Sequence, residues 1–331
     1  MLELIFFLSV GLVLWWTFWS GFSDASNAIT TVVATRVLTP LQAVLLAGAG
    51  NLVGMFLGEA VATTIGTGVV DPAIVSGTLV VIAISSGMIW EYITYRRGIP
   101  ISETQVLVGT LAGAGIAAGG FGVVKFDSIL SNIVIPMALA PFIAFFSVVA
   151  FTAILLRAVR GRSPARLNSY FKKLQIFSSA FFSVAHGAND GQKSAGVLAV
   201  IFIFYGLQSG AEIIPLWLKT VTFLTLSLGT LFGGWRIVKT MGFRLARIKP
   251  WQGFASETSA ALVVGGASIL GFPLSTSQTV AGSIMGVSAV KGGHAINMGV
   301  AREIIFGWLL TVPVSMALGF LGYSVVKALF L

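Results

Sequence analysis

Apolar stretches about two dozen residues long alternate along this chain with short polar breaks. Residues 4–23, 37–58, 72–90, 104–124, 128–156, 258–290 and 304–326 contain no Asp, Glu, Lys or Arg. Crossing the hydrocarbon core of a bilayer as a helix takes about 20 such residues. The spacing therefore predicts an all-α integral membrane protein. The first apolar stretch has no basic lead and runs directly into a polar motif, so it is expected to span and not to be a cleaved leader.

Composition sharpens this picture. Hydrophobic residues make up 56% of the 331 and charged residues 9%, against roughly 25% charged in soluble domains. There is no cysteine, which excludes a disulfide framework, a thiol nucleophile and a Cys-ligated metal. The net charge of +9 does not point to nucleic acid, because the basic residues gather at the ends of apolar stretches. Arg157, Arg160, Arg162, Arg166, Lys172 and Lys173 form one cluster, and Arg236, Lys239, Arg244, Arg247 and Lys249 a second. Basic clusters beside spans mark the cytoplasmic side.

With both clusters inside, 128–156 runs inward and the segment after Arg96 and Arg97 runs outward. Segment 73–95 then runs inward, 40–65 outward and the first helix inward. Beyond the joint, 171–205 runs outward, 216–239 inward, 253–271 outward, 273–290 inward and 302–329 outward. Five crossings per half give two halves of opposite orientation, 1–157 and 173–331, joined by a basic linker at 158–172. The turn at 63–72 holds no Lys or Arg, whereas its counterpart at 236–249 holds five. An inverted pair predicts that asymmetry. The two motif-bearing hairpins are expected to be re-entrant, since irregular backbone is tolerated at membrane depth only inside protein or a wet cavity.

The polar breaks repeat as well. GFSDASNA at 21–28 and PISETQ at 100–105 are followed, in the same order, by HGANDGQKSAG at 186–196 and PLSTSQ at 273–278. Asp24 and Asp190 lie 166 positions apart, Ser102 and Ser275 173 apart. Matching breaks in inverted halves point to a transporter with its site between the halves.

The first kind of break carries a carboxylate, which costs at least about 3 kcal/mol at mid-membrane depth unless paired or ligating. Gly21 allows a helix break there. Asp24 with Asn27, and Asp190 with Asn189, together with freed carbonyls, would make hard-oxygen sites suited to sodium. A helix N-cap is the plainer alternative for either Asp alone. The second kind of break starts a helix at Pro and follows it with hydroxyls. Ser102, Thr104 and Gln105, with Ser275, Thr276, Ser277 and Gln278, offer neutral donors and two helix N-termini to a tetrahedral oxyanion. Polar capping inside a packed helix is the alternative. Lys193 is expected to pair with Asp190, Glu103 to pair with a cation or face water, and Glu257 to serve a proton or gating step. His186 reads as a packed, hydrogen-bonded residue.

At these four stations the chain resembles the Pit family of inorganic phosphate transporters, which carries GANDxxNA-like motifs in both halves and paired P-x-S-x-T hairpins. The resemblance covers most of the chain. It implies symport of phosphate with sodium or protons, an inverted-repeat fold in the plasma membrane, no cofactor, and a homodimer whose hairpin tips hold the anion. Three places depart from the pattern: Phe22 and Ser23 stand for Ala-Asn, Lys193 for Asn, and Asn51 for Glu. Proton coupling and sulfate remain alternatives within the same fold. An intramembrane hydrolase built on Ser23 and His186 is disfavoured, since its Gly-x-Ser element lacks the following Gly and a doubled motif serves no single catalytic site. No Walker motif suggests ATP-driven transport.

Overall fold

The computed structural model describes residues 2–161, 163–208, 214–290 and 292–330, so Arg162 of the basic joint lies outside the described residues. The first half begins with α1 (Leu2–Ala34), α2 (Pro40–Gly54) and α3 (Ala60–Gly68). It continues with α4 (Gly77–Arg97), α5 (Glu103–Gly119), a one-turn α6 (Phe126–Ser128) and α7 (Ile135–Ala158). The second half has α8 (Pro164–Phe204), α9 (Leu216–Thr230), α10 (Trp235–Lys239), α11 (Pro250–Ile269), α12 (Thr276–Ala289) and α13 (Met298–Phe330). α8 starts at Pro164, so most of the expected 158–172 linker is helical.

Among the described residues, four helical stretches are long and apolar enough to cross a membrane: 2–34, 77–97, 126–158 and 298–330. A fifth is the bent pair formed by α9 and the helical segment 235–245, which meet at 54°. The remaining helices fail that test because they are short or carry the polar stations. α5 has 17 residues and α12 has 14, or about 25 and 21 Å at 1.5 Å per residue. Both fall short of a core of about 30 Å, as expected where an extended segment completes the path.

Two expectations about helix breaks are corrected. α1 and α8 run unbroken through Asp24 and Asp190. Gly21 instead admits a neighbour: a Cβ there would lie 2.0 Å from the Leu226 carbonyl of α9. Gly187, also 166 positions from its counterpart, admits Asn51 of α2 at 2.4 Å in the same sense. The breaks fall instead in 40–65, between α2 and α3, and in 216–239, between α9 and α10, at matching places in the two halves.

Packing is reciprocal. α1 lies on α9 and α8 on α2, while α5 lies on α13 and α12 on α7. Small residues allow the close crossings: Gly113 of α5 meets the Met316 carbonyl of α13, and Gly282 of α12 meets that of Pro141 in α7. The bundle places α5 and α12 in the interior, with residues 106–115 and 276–284 buried throughout.

The opposite orientation expected of the halves makes a direct prediction. Single cysteines placed at Ser163, before α8, and at Leu329, in the last turn of α13, should react with an impermeant maleimide from opposite sides of the membrane. Labelling from the same side would rule the inverted arrangement out.

Candidate functional site

Two backbone turns bring the site together. Ser102 is the N-cap of α5 and Ser275 that of α12, each hydroxyl oxygen accepting the backbone N–H three residues on, from Gln105 at 3.1 Å and Gln278 at 3.2 Å. Capping of this kind satisfies one of the donors a helix start leaves open. Although 173 residues apart in sequence, the two starts touch. Thr104 donates to the Leu274 carbonyl at 3.2 Å, and Gln278 donates to the Gln105 side-chain oxygen at 3.3 Å.

α1 supplies the first carboxylate. Asp24 accepts from Ser277 at 3.2 Å and from Thr276 at 3.4 Å. Asn27, one turn later, donates to Thr276 at 3.0 Å and accepts from Ser277 at 3.1 Å. α8 supplies the second. Asp190 accepts from Lys193 at 2.5 Å, from Asn189 at 2.8 Å and from Thr276 at 3.4 Å, and faces His186 Nε2 at 2.9 Å. Thr276 thus stands between the carboxylates of the two halves. One ligand atom each from Asp24, His186 and Asp190 lies within 4.8 Å of the others.

Asn189 explains why an amide stands before Asp190. Its side chain donates to the Leu274 carbonyl at 2.9 Å and accepts the Leu274 N–H at 3.2 Å, pinning the extended segment before α12. Ser23, the corresponding residue of the first half, is too short for that grip. It bonds Glu103 instead, and Ser20 bonds the same carboxylate.

Asp24, Asn27, Thr104, Asn189, Asp190, Lys193, Thr276 and Ser277 therefore form one polar cluster, with Gln105 and Gln278 bonded beside it. Lys193 pairs with Asp190, as the spacing predicts. Glu103 takes serine hydroxyls where a cation partner was expected. Glu257 belongs elsewhere: it accepts from Thr31, Ser178 and Gln175, the last at 3.4 Å, in a separate buried pocket between α1, α8 and α11. Exposures of 4% for Asp24, 2% for Asp190 and 3% for Lys193 mean that the cluster is closed to water from both sides. Asp24, Asp190 and the neighbouring Glu103 thus place three carboxyl groups and the Lys193 ammonium in one buried region.

Two contributors have no role assigned from sequence, although Asn51 stands out there as a departure from the family pattern. The Leu274 carbonyl is a backbone group in an apolar residue. Asn51 bonds His186 Nδ1 at 3.0 Å and Thr230 at 2.9 Å, forming a chain behind Asp190 that joins α2, α8 and α9.

Two helix starts meeting two buried carboxylates in the interior of an apolar bundle are the arrangement of a membrane transporter. The sequence profile of the phosphate transporter family matches residues 20–168 and again 157–319, and the chain belongs to that family. A probable low-affinity inorganic phosphate transporter of Rhizobium meliloti is 36% identical over 97% of both chains. Its namesake in Bacillus subtilis is 34% identical over 95% of this chain and 94% of its own. The fold superposes on a solved sodium-dependent phosphate transporter with a TM-score of 0.88, covering 98% of this chain and 100% of that one at 24% identity. Family, relatives and apolar helices make this a multi-pass protein of the plasma membrane.

Proposed function

We propose that the chain carries inorganic phosphate across the membrane in symport with sodium, through two inverted repeats, 1–157 and 173–331. The observation that carries this reading is the junction of the α5 and α12 N-termini against Asp24 and Asp190. An anion and a cation would there lie within one bond of shared residues. Phosphate takes the hydroxyl, amide and backbone donors of 102–105 and 275–278, at the positive ends of the two helix dipoles. Sodium takes the oxygens of Asp24 and Asn27, and the second half presents Asp190 and Asn189 as a second cation station. Because Thr276 and Ser277 touch both carboxylate and helix start, filling the cation station removes charge that would repel the anion. The doubled match to the family profile and the reciprocal helix packing support the repeat, and the names of the relatives support the cargo.

Purified protein in proteoliposomes is expected to accumulate radiolabelled phosphate when a sodium gradient is imposed, with sulfate a weak competitor. Equal uptake under a proton gradient without sodium would assign the driving ion to protons. The anion station is tested in the same assay. Ser102→Ala and Ser275→Ala each remove one neutral hydrogen-bonding group, worth about 0.5–1.5 kcal/mol, so apparent phosphate affinity should fall roughly threefold to tenfold. Unchanged affinity in the double variant would move the anion elsewhere.

A further inference from the structure

The two carboxylates occupy equivalent places yet differ in how far their oxygens are already used. A carboxylate offers about four acceptor positions. Asp190 accepts from Lys193 at 2.5 Å, Asn189 at 2.8 Å and Thr276 at 3.4 Å, and His186 Nε2 lies against it at 2.9 Å. Asp24 receives the Ser277 and Thr276 hydroxyls, at 3.2 and 3.4 Å, and each shares its single proton with another acceptor, Asn27 Oδ1 for Ser277 and Asp190 for Thr276. The residue one turn on differs in the same way. Asn27 follows Asp24 by three positions and Lys193 follows Asp190 by three, so the repeat places an ammonium where the first half has an amide. That ammonium also reaches the Leu274 carbonyl at 3.3 Å. A carboxylate oxygen and a backbone carbonyl are the ligands a bound sodium ion would take.

We propose that Lys193 Nζ is a built-in cation filling the Asp190 station, leaving Asp24 as the exchangeable ion site of the central cluster. The proposal rests on the symport reading above and narrows it. One half of the pseudo-symmetric pair binds and releases its cation in each cycle, and the other carries its cation covalently. The fixed charge still serves the anion, since it neutralises Asp190 beside Thr276 throughout the cycle. It also restricts coupling: each phosphate moves with one sodium fewer at the central cluster than a chain with an amide at both positions.

Lys193→Asn restores the amide of the first half and empties the station. Equilibrium binding of radioactive sodium to the purified protein should rise by one ion per chain over wild type, and the sodium dependence of phosphate uptake should steepen. Lys193→Gln is expected to behave alike and stands in if the first variant is not recovered as monodisperse protein. The double variant Asp190→Asn/Lys193→Met deletes both charges together and should bind the wild-type number of ions. Equal sodium counts in wild type and the Lys193 variants would overturn the proposal, as would loss of one ion in the double variant. Failure of the symport reading shows differently: wild-type protein would then take up phosphate without regard to sodium, whatever the binding counts.

Discussion

Asp24→Asn is expected to abolish concentrative phosphate uptake while leaving the protein folded. The amide matches the carboxylate in shape and keeps an oxygen for Ser277 and Thr276, which donate to Asp24 at 3.2 and 3.4 Å. What disappears is the negative charge that draws a cation to the site. Phosphate would then move alone against an inside-negative potential, at about 2.3 kcal/mol per charge per 100 mV. A ratio of internal to external phosphate well above one in wild-type proteoliposomes should fall to one or below, and sodium should cease to stimulate uptake. Phosphate exchange driven by phosphate on both sides is expected to survive, because the donors at 102–105 and 275–278 are untouched. Sodium-driven accumulation by the variant at the wild-type level would place coupling outside Asp24.

The second large effect is structural. Gly187→Ala is expected to lower the melting temperature in detergent by many degrees and to eliminate uptake. A Cβ at 187 would lie 2.4 Å from the Asn51 Cα and 2.5 Å from its carbonyl oxygen. Moving α2 away from α8 would open the rest of that seam, where Gly54 approaches Ala188 and Gly50 approaches Ser183, each at 2.4 Å in the same sense. Overpacking in a core costs about 1–3 kcal/mol and more where backbone must move. Displacing α2 would also pull Asn51 from His186 and Thr230, and so loosen the support behind Asp190. Gly11→Ala, where nothing lies within 4 Å, provides the control and should leave both readouts unchanged. Wild-type melting and uptake in Gly187→Ala would show that α2 and α8 are not locked as described.

Much of the site was legible because chemistry in a membrane is conspicuous. Asp24, Asp190, Lys193 and the two Pro-x-Ser runs stand out against apolar sequence, and a carboxylate at depth demands a reason. Their spacing also fixed Lys193 beside Asp190, since residues three apart share a helix face. The breaks were misread for an equally physical reason. Glycine next to a polar residue is compatible with a kink and with a close crossing, and Gly21 and Gly187 serve the crossing. Choosing between the two requires knowing that the Leu226 carbonyl and Asn51 approach from the other half, which is long-range information. Glu103 was misassigned because its partners, Ser20 and Ser23, lie on α1 some 80 residues away. Glu257, expected to serve a proton or gating step, is held by Thr31, Gln175 and Ser178 in its own pocket.

The crossed pairing of helices bears on how the protein is made. When α5 and α7 leave the ribosome, their partners α13 and α12 have not been synthesised, and α2 likewise waits for α8. The Gly113 groove on α5 would meanwhile face lipid or the insertion machinery, with its final contact more than 200 residues of translation away. At about 5–20 residues per second, that delay is on the order of ten seconds or more. The N-terminal half can pack α4 on α5 and α1 on α4 and α2 as it emerges, but its crossed contacts stay open until the chain is nearly complete. A truncation after α7 should yield no compact half-transporter, and the two halves made as separate polypeptides would depend on meeting in the bilayer before quality-control proteases reach the exposed grooves.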